Sequence, residues 1–338
     1  MSNNRFNYLV EKIRDAKFSD HPFRHIYIED FFSESDFKDI ISSTEINLNK
    51  AHSDEDLFNK LFEHSYEIVP FAGCTNDKEA YIKWHAGKKT SLDFNTACSG
   101  IGVALRLENP KTEILIKIKE FLAGDLFNQT ISEKLGHNLK DKIIDNGIQK
   151  YLDGYEISPH PDIRKKAVTF MININPHENA EQLDHHAHLL KFKPERDYIR
   201  IFWQGNNNVD RCLFPWDWAT INKTQNKNNT LVLFAPKDDT LHAVRANYDH
   251  LNAQRTQLYG NIWHESNMCG EGLTWEELDF MPIFERKEQP DSNIVQAAKK
   301  LIPKSLKKVI LNTMYPHNDL AFKNKKNVNT NRLKNFKK

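Results

Sequence analysis

The chain has little cysteine and no long apolar run, and both shortages narrow what it can be. Cys74, Cys98, Cys212 and Cys269 are scattered over 338 residues without a Cys-x-x-Cys pair. That spacing supplies neither a disulfide framework nor a thiolate zinc site. No stretch approaches the roughly 18 apolar residues that a spanning helix needs. The opening MSNNRFNYLVEKIRDAKFSD also lacks the apolar centre and small-residue cleavage site of a secretory leader. A reducing cytoplasm is the expected location, where a triplet such as Asn128-Gln129-Thr130 has no glycosylation meaning. No repeat of fixed period is visible.

Net charge is nearly absent as well, at +1, but it is unevenly spread. From Lys299 onward 12 Lys or Arg face Asp319 alone, a balance of +11, while the remainder holds 35 basic and 45 acidic side chains, a balance of −10. An acidic body with a basic tail is no nucleic-acid binder as a whole. What is present is ordinary for a soluble globular protein, with 39% hydrophobic and 28% charged residues. The length suits one catalytic core with additions.

Residues 23–37 read as a short strand running into a helix capped by Ser33, with Asp36 in the capping-box position. Segments 54–65 and 112–146 show helical periodicity, the second through Ile114, Ile118, Phe121, Leu122, Leu135, Leu139, Ile143 and Ile144. The character then changes. Stretches 147–157, 166–175, 197–203, 230–235 and 256–263 are short, β-branched or aromatic, and bounded by Gly, Pro, Asn and Asp, the profile of a sandwich or small barrel. Segments 176–196 and 204–229 read as long loops. Three regions are expected: 1–146, a support of helices and strands; 147–270, a β-rich catalytic core; and 271–338, a C-terminal extension. In the last, Ile294–Ile310 is basic and amphipathic and the Lys/Asn-rich end reads as disordered. Such a segment suits docking on its own domain, or a peripheral membrane or protein contact through residues 294–338.

The chemistry concentrates in two places. In Tyr151-Leu-Asp-Gly154-Tyr-Glu-Ile-Ser-Pro-His160-Pro-Asp162, residues two apart on a strand or its exit share a face, so His160 and Asp162 can reach one ion. A third ligand must come from elsewhere, and an apolar strand from Thr230 to Phe234 passes through a polar turn to deliver His242. Arg255 lies thirteen residues further on; an antiparallel return would bring it beside the metal. Two imidazoles and one carboxylate on iron(II) leave three positions open, two for a bidentate 2-oxo acid and one for oxygen. Arg255 then offers the far carboxylate a planar, charge-assisted partner.

At these residues the chain resembles the non-haem iron(II) 2-oxoglutarate dioxygenases of the prolyl-4-hydroxylase-like branch. Their pattern of Tyr-x-x-Gly, His-x-Asp, a Thr-bearing strand ending in a Leu-Asn-like pair, and Phe…His-x-Val…Arg is matched by Tyr151, Gly154, His160, Asp162, Thr169, Asn175, Phe234, His242, Val244 and Arg255. The opening FRHIYIEDFFSESDF is similar to the family's start, and the resemblance spans about residues 22–265. It implies a mainly β fold with flanking α, a double-stranded β-helix of the jelly-roll or cupin type with N-terminal helices packed outside. It also implies decarboxylation of 2-oxoglutarate to succinate, supported by ascorbate and coupled through O2 to hydroxylation or related C–H oxidation of an organic substrate, with a small metabolite, a glycan precursor and a peptidyl residue all left open. Co-substrate contacts beyond Arg255 are expected from Tyr151, Thr169 and Asn173. The chain departs from the family at Asn173, where tyrosine is usual, and at Gln257, where Ser or Thr is frequent.

Other features carry weaker signals. The Asp184-His185-His186-Ala-His188 cluster reads as a solvated loop, with a lid or a second metal as the sharper alternatives. Trp203, Trp216 and Trp218 flank the long loops and are candidate substrate walls; Arg245 is a further substrate candidate, expected at the mouth to meet an acidic substrate, or else in solvent. Two rivals to the enzyme reading remain: a metal- or ligand-binding β-barrel without turnover, and an adaptor acting through the basic tail.

Overall fold

Capping residues and apolar spacing set the helices of the N-terminal part. The computed structural model describes residues 4–69, 75–87, 102–138, 142–206, 209 and 211–265, all within the unit Met1–Thr274. Here α1 (Tyr8–Asp15) precedes the antiparallel pair β1 (Phe18–Ser19) and β2 (His25–Ile28). α2 (Glu34–Ile41) begins where Ser33 caps it, the serine Oγ accepting from the Asp36 N–H at 3.2 Å. The reciprocal half of the capping box is missing. The Asp36 carboxylate instead pairs with Arg5 Nε at 2.5 Å and accepts from Tyr8 Oη at 2.7 Å, which ties α2 to α1. Next come α3 (Asp54–Glu63), β3 (Tyr66–Ile68), α4 (Lys78–Gly87), β4 (Ala104–Leu107), α5 (Glu113–Ala123) and α6 (Asp125–Lys134).

The helical reading of 112–146 is corrected at its end. α6 stops at Lys134, and Ile143 and Ile144 belong to β5 (Lys142–Tyr151), so a boundary at 146 falls inside a strand. Adjacent β-branched residues suit an extended chain better than a helix. The rest of the fold is β6 (Glu156–His160), β7 (Lys166–Asn173), β8 (Ala187–Phe192), α7 (Tyr198–Gly205), β9 (Ala219–Gln225), β10 (Leu231–Phe234), β11 (His242–Arg245) and β12 (Arg255–His264).

From β5 to β12 the chain alternates between two sheets, turning back within the smaller one only at the step from β8 to β9. The larger sheet has the order β1-β2-β10-β7-β12-β5-β4-β3 and the smaller β6-β11-β8-β9, with antiparallel pairing throughout. This is a double-stranded β-helix of the jelly-roll type, extended on the larger sheet by β1 to β4. β8 and β9 correct the loop readings of 176–196 and 204–229, and α7 corrects the strand reading of 197–203. In α7 the buried Ile199 and Trp203 are four residues apart while Tyr198, Ile201 and Phe202 are exposed. Apolar on both faces, this short run gives no period that distinguishes helix from strand.

β7 is buried along its whole length and separates two cores. Its Val168, Phe170 and Ile172 join the large core that includes the helices, while Met171 turns the other way toward Val232, Phe234 and Tyr259 between the sheets. Among the described residues no helix is long and apolar enough to cross a membrane. The extension read from 271 onward, with residues 294–338, lies outside the described residues.

Candidate active site

Three cross-strand pairs build the site. His242 lies opposite His160, Arg255 opposite Tyr151, and Gln257 opposite Asn173. Asp162, just past β6, has φ 73°, a left-handed conformation that aspartate tolerates better than most residues. Its Oδ1 is 3.7 Å from His160 Nε2 and its Oδ2 is 3.6 Å from His242 Nε2, too long for hydrogen bonds. The far nitrogen of each ring is tied down, His160 Nδ1 to Ser158 O at 2.8 Å and His242 Nδ1 to Thr240 O at 2.9 Å. A carbonyl only accepts, so Nδ1 carries the proton and Nε2 presents its lone pair.

Electrostatics agrees with that assignment. Burial pushes His160 down to about 3, helped by the neighbouring His242, and burial lowers His242 too, so both rings are neutral as ligation requires. Burial resists ionisation of Asp162, but the Lys166 ammonium beside it outweighs burial and holds the carboxyl well below its ordinary range. Two lone pairs and a carboxylate oxygen thus converge without a proton between them. That arrangement fits a divalent cation, and its two-His, one-carboxylate composition fits iron(II).

A second group, Asp54, His85 and His250, is also close enough to hold an ion, but its geometry differs. His85 Nδ1 is 2.8 Å from Asp54 Oδ2, His85 Nε2 is 3.0 Å from Asp153 Oδ2, and His250 Nε2 is 2.7 Å from Asp54 Oδ1. These are direct hydrogen bonds, so the group is a bonded cluster. His185, His186 and His188 are no metal-binding group among the described residues, and the expectation of a solvated loop is corrected. His185 and His186 are buried and edge-to-face at 4.5 Å, His185 also packs on Tyr248 at 4.8 Å, and His188 Nδ1 meets Thr224 Oγ1 at 2.9 Å. Burial, with Arg255 nearby, pushes His186 and His188 down to about 4.

His160, Asp162, His242 and Arg255 line one cavity of about 310 Å³. Arg255 is 2% exposed. Among the described residues it meets no carboxylate: Nη2 donates to Gln257 Oε1 at 2.9 Å, Nε has no partner, and the guanidinium carbon lies 4.5 Å from the Tyr151 ring centre. Burial lowers its pKa, opposed by the phenols of Tyr151, Tyr155 and Tyr248. A buried guanidinium without an anion is costly, and it marks a place for a planar carboxylate such as the far end of 2-oxoglutarate.

The remaining expected residues fall in different places. Tyr151 lines the cavity; Gln149, its amide nitrogen donating to Tyr151 Oη at 2.5 Å, accepts in turn from Arg106 Nη2 at 2.7 Å. Thr169 Oγ1 donates to Asp162 Oδ2 at 2.9 Å and so braces the carboxylate. Asn173 does not line the cavity. Its Oδ1 accepts from Gln257 Nε2 at 2.7 Å and its Nδ2 donates to Gln225 O at 2.8 Å, a support for the residue that holds Arg255. Nor do the three tryptophans line it: Trp203 stacks under Arg164 at 4.0 Å, Trp216 Nε1 donates to Glu156 Oε1 at 2.7 Å, and Trp218 packs with Phe214. Arg245 is buried, not at the mouth or in solvent, with Nη2 2.7 Å from Glu156 Oε1. Sequence reasoning missed Lys166, Gln257, Tyr259 and Trp263 as lining residues. The signal for the last three was alternation along β12, where Arg255, Gln257, Tyr259 and Trp263 share a face.

A jelly-roll core that brings a His-Asp-His ligand set and a buried arginine to one cavity defines a metal site fitted to iron(II) and 2-oxoglutarate. No protein-family model and no curated protein matches the chain. Its structural neighbours are prolyl-4-hydroxylases and 2-oxoglutarate–iron(II) oxygenase family proteins. One is a Pseudomonas putida prolyl-4-hydroxylase (TM-score 0.36, 10% identity, 77% of this chain and 100% of that one). Another is a Trichoplax adhaerens prolyl hydroxylase in complex with a hypoxia inducible factor peptide fragment (0.35, 14%, 77% and 89%). A third is the epimerase SnoN in complex with Fe3+, alpha ketoglutarate and nogalamycin RO (0.37, 8%, 76% and 83%). With TM-scores this low, the assignment of the site rests on its own side chains.

Proposed function

We propose that this protein is an iron(II)- and 2-oxoglutarate-dependent oxygenase that hydroxylates, or otherwise oxidises a C–H bond of, an organic substrate. The observation that carries this is the presence, in one cavity, of the His160–Asp162–His242 cluster, whose facing ligand atoms make no hydrogen bond to one another, and of a guanidinium, Arg255, that meets no carboxylate among the described residues. A barrel that merely stored metal would gain nothing from a buried, unpaired arginine.

Bound iron(II), 2-oxoglutarate and dioxygen supply oxidative decarboxylation to succinate coupled to C–H oxidation. The chain's own residues orient and exclude. Arg255 anchors the co-substrate, Gln257 holds Arg255, and apolar walls from Ile157, Met171 and Val244 keep water away. The cavity lies near the lower end of the roughly 300–1,000 Å³ of small-molecule sites, and the co-substrate fills part of it. The space left takes a small substrate, or one small moiety of a larger one. Iron(II) chemistry suits a reducing compartment, in keeping with a cytoplasmic placement.

The test is anaerobic addition of iron(II) and then 2-oxoglutarate, following the metal-to-ligand absorption, with succinate measured after oxygen is admitted. Asp162→Ala and His242→Ala are expected to abolish both signals while the circular dichroism spectrum is kept. Wild-type turnover in Asp162→Ala would overturn the reading. Metabolite profiling with and without the protein then addresses the substrate.

A further inference from the structure

Lys166 lies in the cavity although the reaction proposed above does not call on it. Alternation along β7 would turn it outward with Val168, Phe170 and Ile172, which pack in the large core. A β-bulge prevents this. In the β7–β12 ladder Ile262 faces Val168 but the next residue, Trp263, faces Lys166, so Ala167 is extra. Bulges re-aim side chains, and this one sends Lys166 into the cavity beside Trp263. There the buried Nζ lies 2.5 Å from Asp162 Oδ1 and 3.1 Å from Tyr259 Oη, with the Trp263 ring centre 5.5 Å away. The other oxygen of Asp162 accepts from Thr169.

We propose that Lys166 is a resident counter-cation for Asp162, pairing with the buried carboxylate and aiming it in the metal-free protein, and yielding that pairing when a divalent ion binds. The inference rests on the metal reading above. A buried carboxylate without a partner is strongly destabilising, and the ammonium removes that cost before any metal arrives. Once an ion binds, one negative charge lies between two like-charged cations in a poorly screened cavity, and their repulsion works against the ion. Lys166 therefore trades metal affinity for an assembled empty site. Thr169 can hold the carboxylate in place but adds no charge, so the two contacts differ in their effect on the metal.

The experiment is Mn2+ titration of the metal-free full chain, by calorimetry, for wild type, K166Q and K166R. The K166Q amide remains a hydrogen-bond donor beside Asp162 while the charge is gone. Its Mn2+ Kd is expected to fall by about tenfold or more, whereas K166R, which keeps the charge, stays within about threefold of wild type. A K166Q protein that binds Mn2+ equally or more weakly overturns the proposal, because Lys166 would then only aim the carboxylate. Absence of Mn2+ binding by wild type would sink the metal reading itself, a distinguishable result. NMR of the 15N-lysine ammonium groups supplies a readout on wild type alone: the Lys166 signal, identified by its loss in K166R, must shift on saturation with diamagnetic Zn2+. An unmoved signal also overturns the proposal.

Discussion

Arg255 sits directly across the β5–β12 ladder from Tyr151, and its guanidinium carbon lies 4.5 Å from the centre of the tyrosine ring. The tyrosine ring lies against the guanidinium and Gln257 takes one N–H, while Nε has no hydrogen-bond partner. Removing one partner of a buried charge pair costs about 3 kcal/mol or more, so Arg255→Ala is expected to weaken 2-oxoglutarate binding by about two orders of magnitude. Arg255→Lys should recover only part, since an ammonium cannot make two parallel hydrogen bonds. Anaerobic titration gives the iron and 2-oxoglutarate constants separately, and the first should barely move. Exposed Arg14 is a suitable control.

Asn173 tests whether support differs from contact. Its side chain holds Gln257 at 2.7 Å and does not reach the cavity. Losing one such hydrogen bond costs about 1 kcal/mol, so Asn173→Ala should weaken 2-oxoglutarate binding by only about three- to tenfold. A loss as large as that of Arg255→Ala would mean that Asn173 touches the co-substrate itself.

Arg245 has a structural task. Glu156 is 2% exposed and accepts from Arg245, Trp216 and Ser158. Arg245→Met strands that carboxylate and should lower unfolding stability by about 3–5 kcal/mol in urea titrations, while the double variant with Glu156→Gln regains most of the loss. The affinity of the folded fraction for 2-oxoglutarate should stay near wild type. If Arg245→Met were as stable as wild type, the pair would not hold the two strands together.

What could be read in the sequence was local. His160 and Asp162 are two residues apart, and His242 follows an apolar strand through a short turn, so residue type and spacing suffice to group them. What could not be read depends on partners far along the chain. Arg245 and Glu156 face each other across β11 and β6, and no pattern within either strand announces that register. Lys166 was hidden for a related reason, because the bulge that turns it inward exists only in its pairing with β12. β9 escaped because its face is mostly polar and exposed from Thr220 to Asn222, leaving no alternation to detect.

The last prediction concerns His85, which joins α4 to the rest of the fold. One ring nitrogen faces Asp54 and the other Asp153, at 2.8 and 3.0 Å. Both acceptors are carboxylates, so both nitrogens must donate and the ring is an imidazolium. Its pKa is raised, chiefly by the hydrogen bond to Asp153, with burial opposing and Asp54 adding. A folded-state pKa above the unfolded value of about 6.5 means that this stabilisation is fully present below that pH and is lost as the pH climbs through the raised value. His160 and His242 are shifted the other way by burial, so their contribution fades on the acid side. It is common to wild type and His85→Gln and drops out of their difference. Thermal melts of both proteins in chelator, from about pH 6 to about pH 9, should show a gap in Tm that is widest at the acid end and narrows as the pH rises. The same cluster reaches toward the co-substrate end, since Asp153 accepts from the Tyr248 N–H at 3.0 Å and Tyr248 Oη accepts from the Arg255 N–H at 2.9 Å. A gap that stayed constant over this range would show that His85 does not carry the second proton.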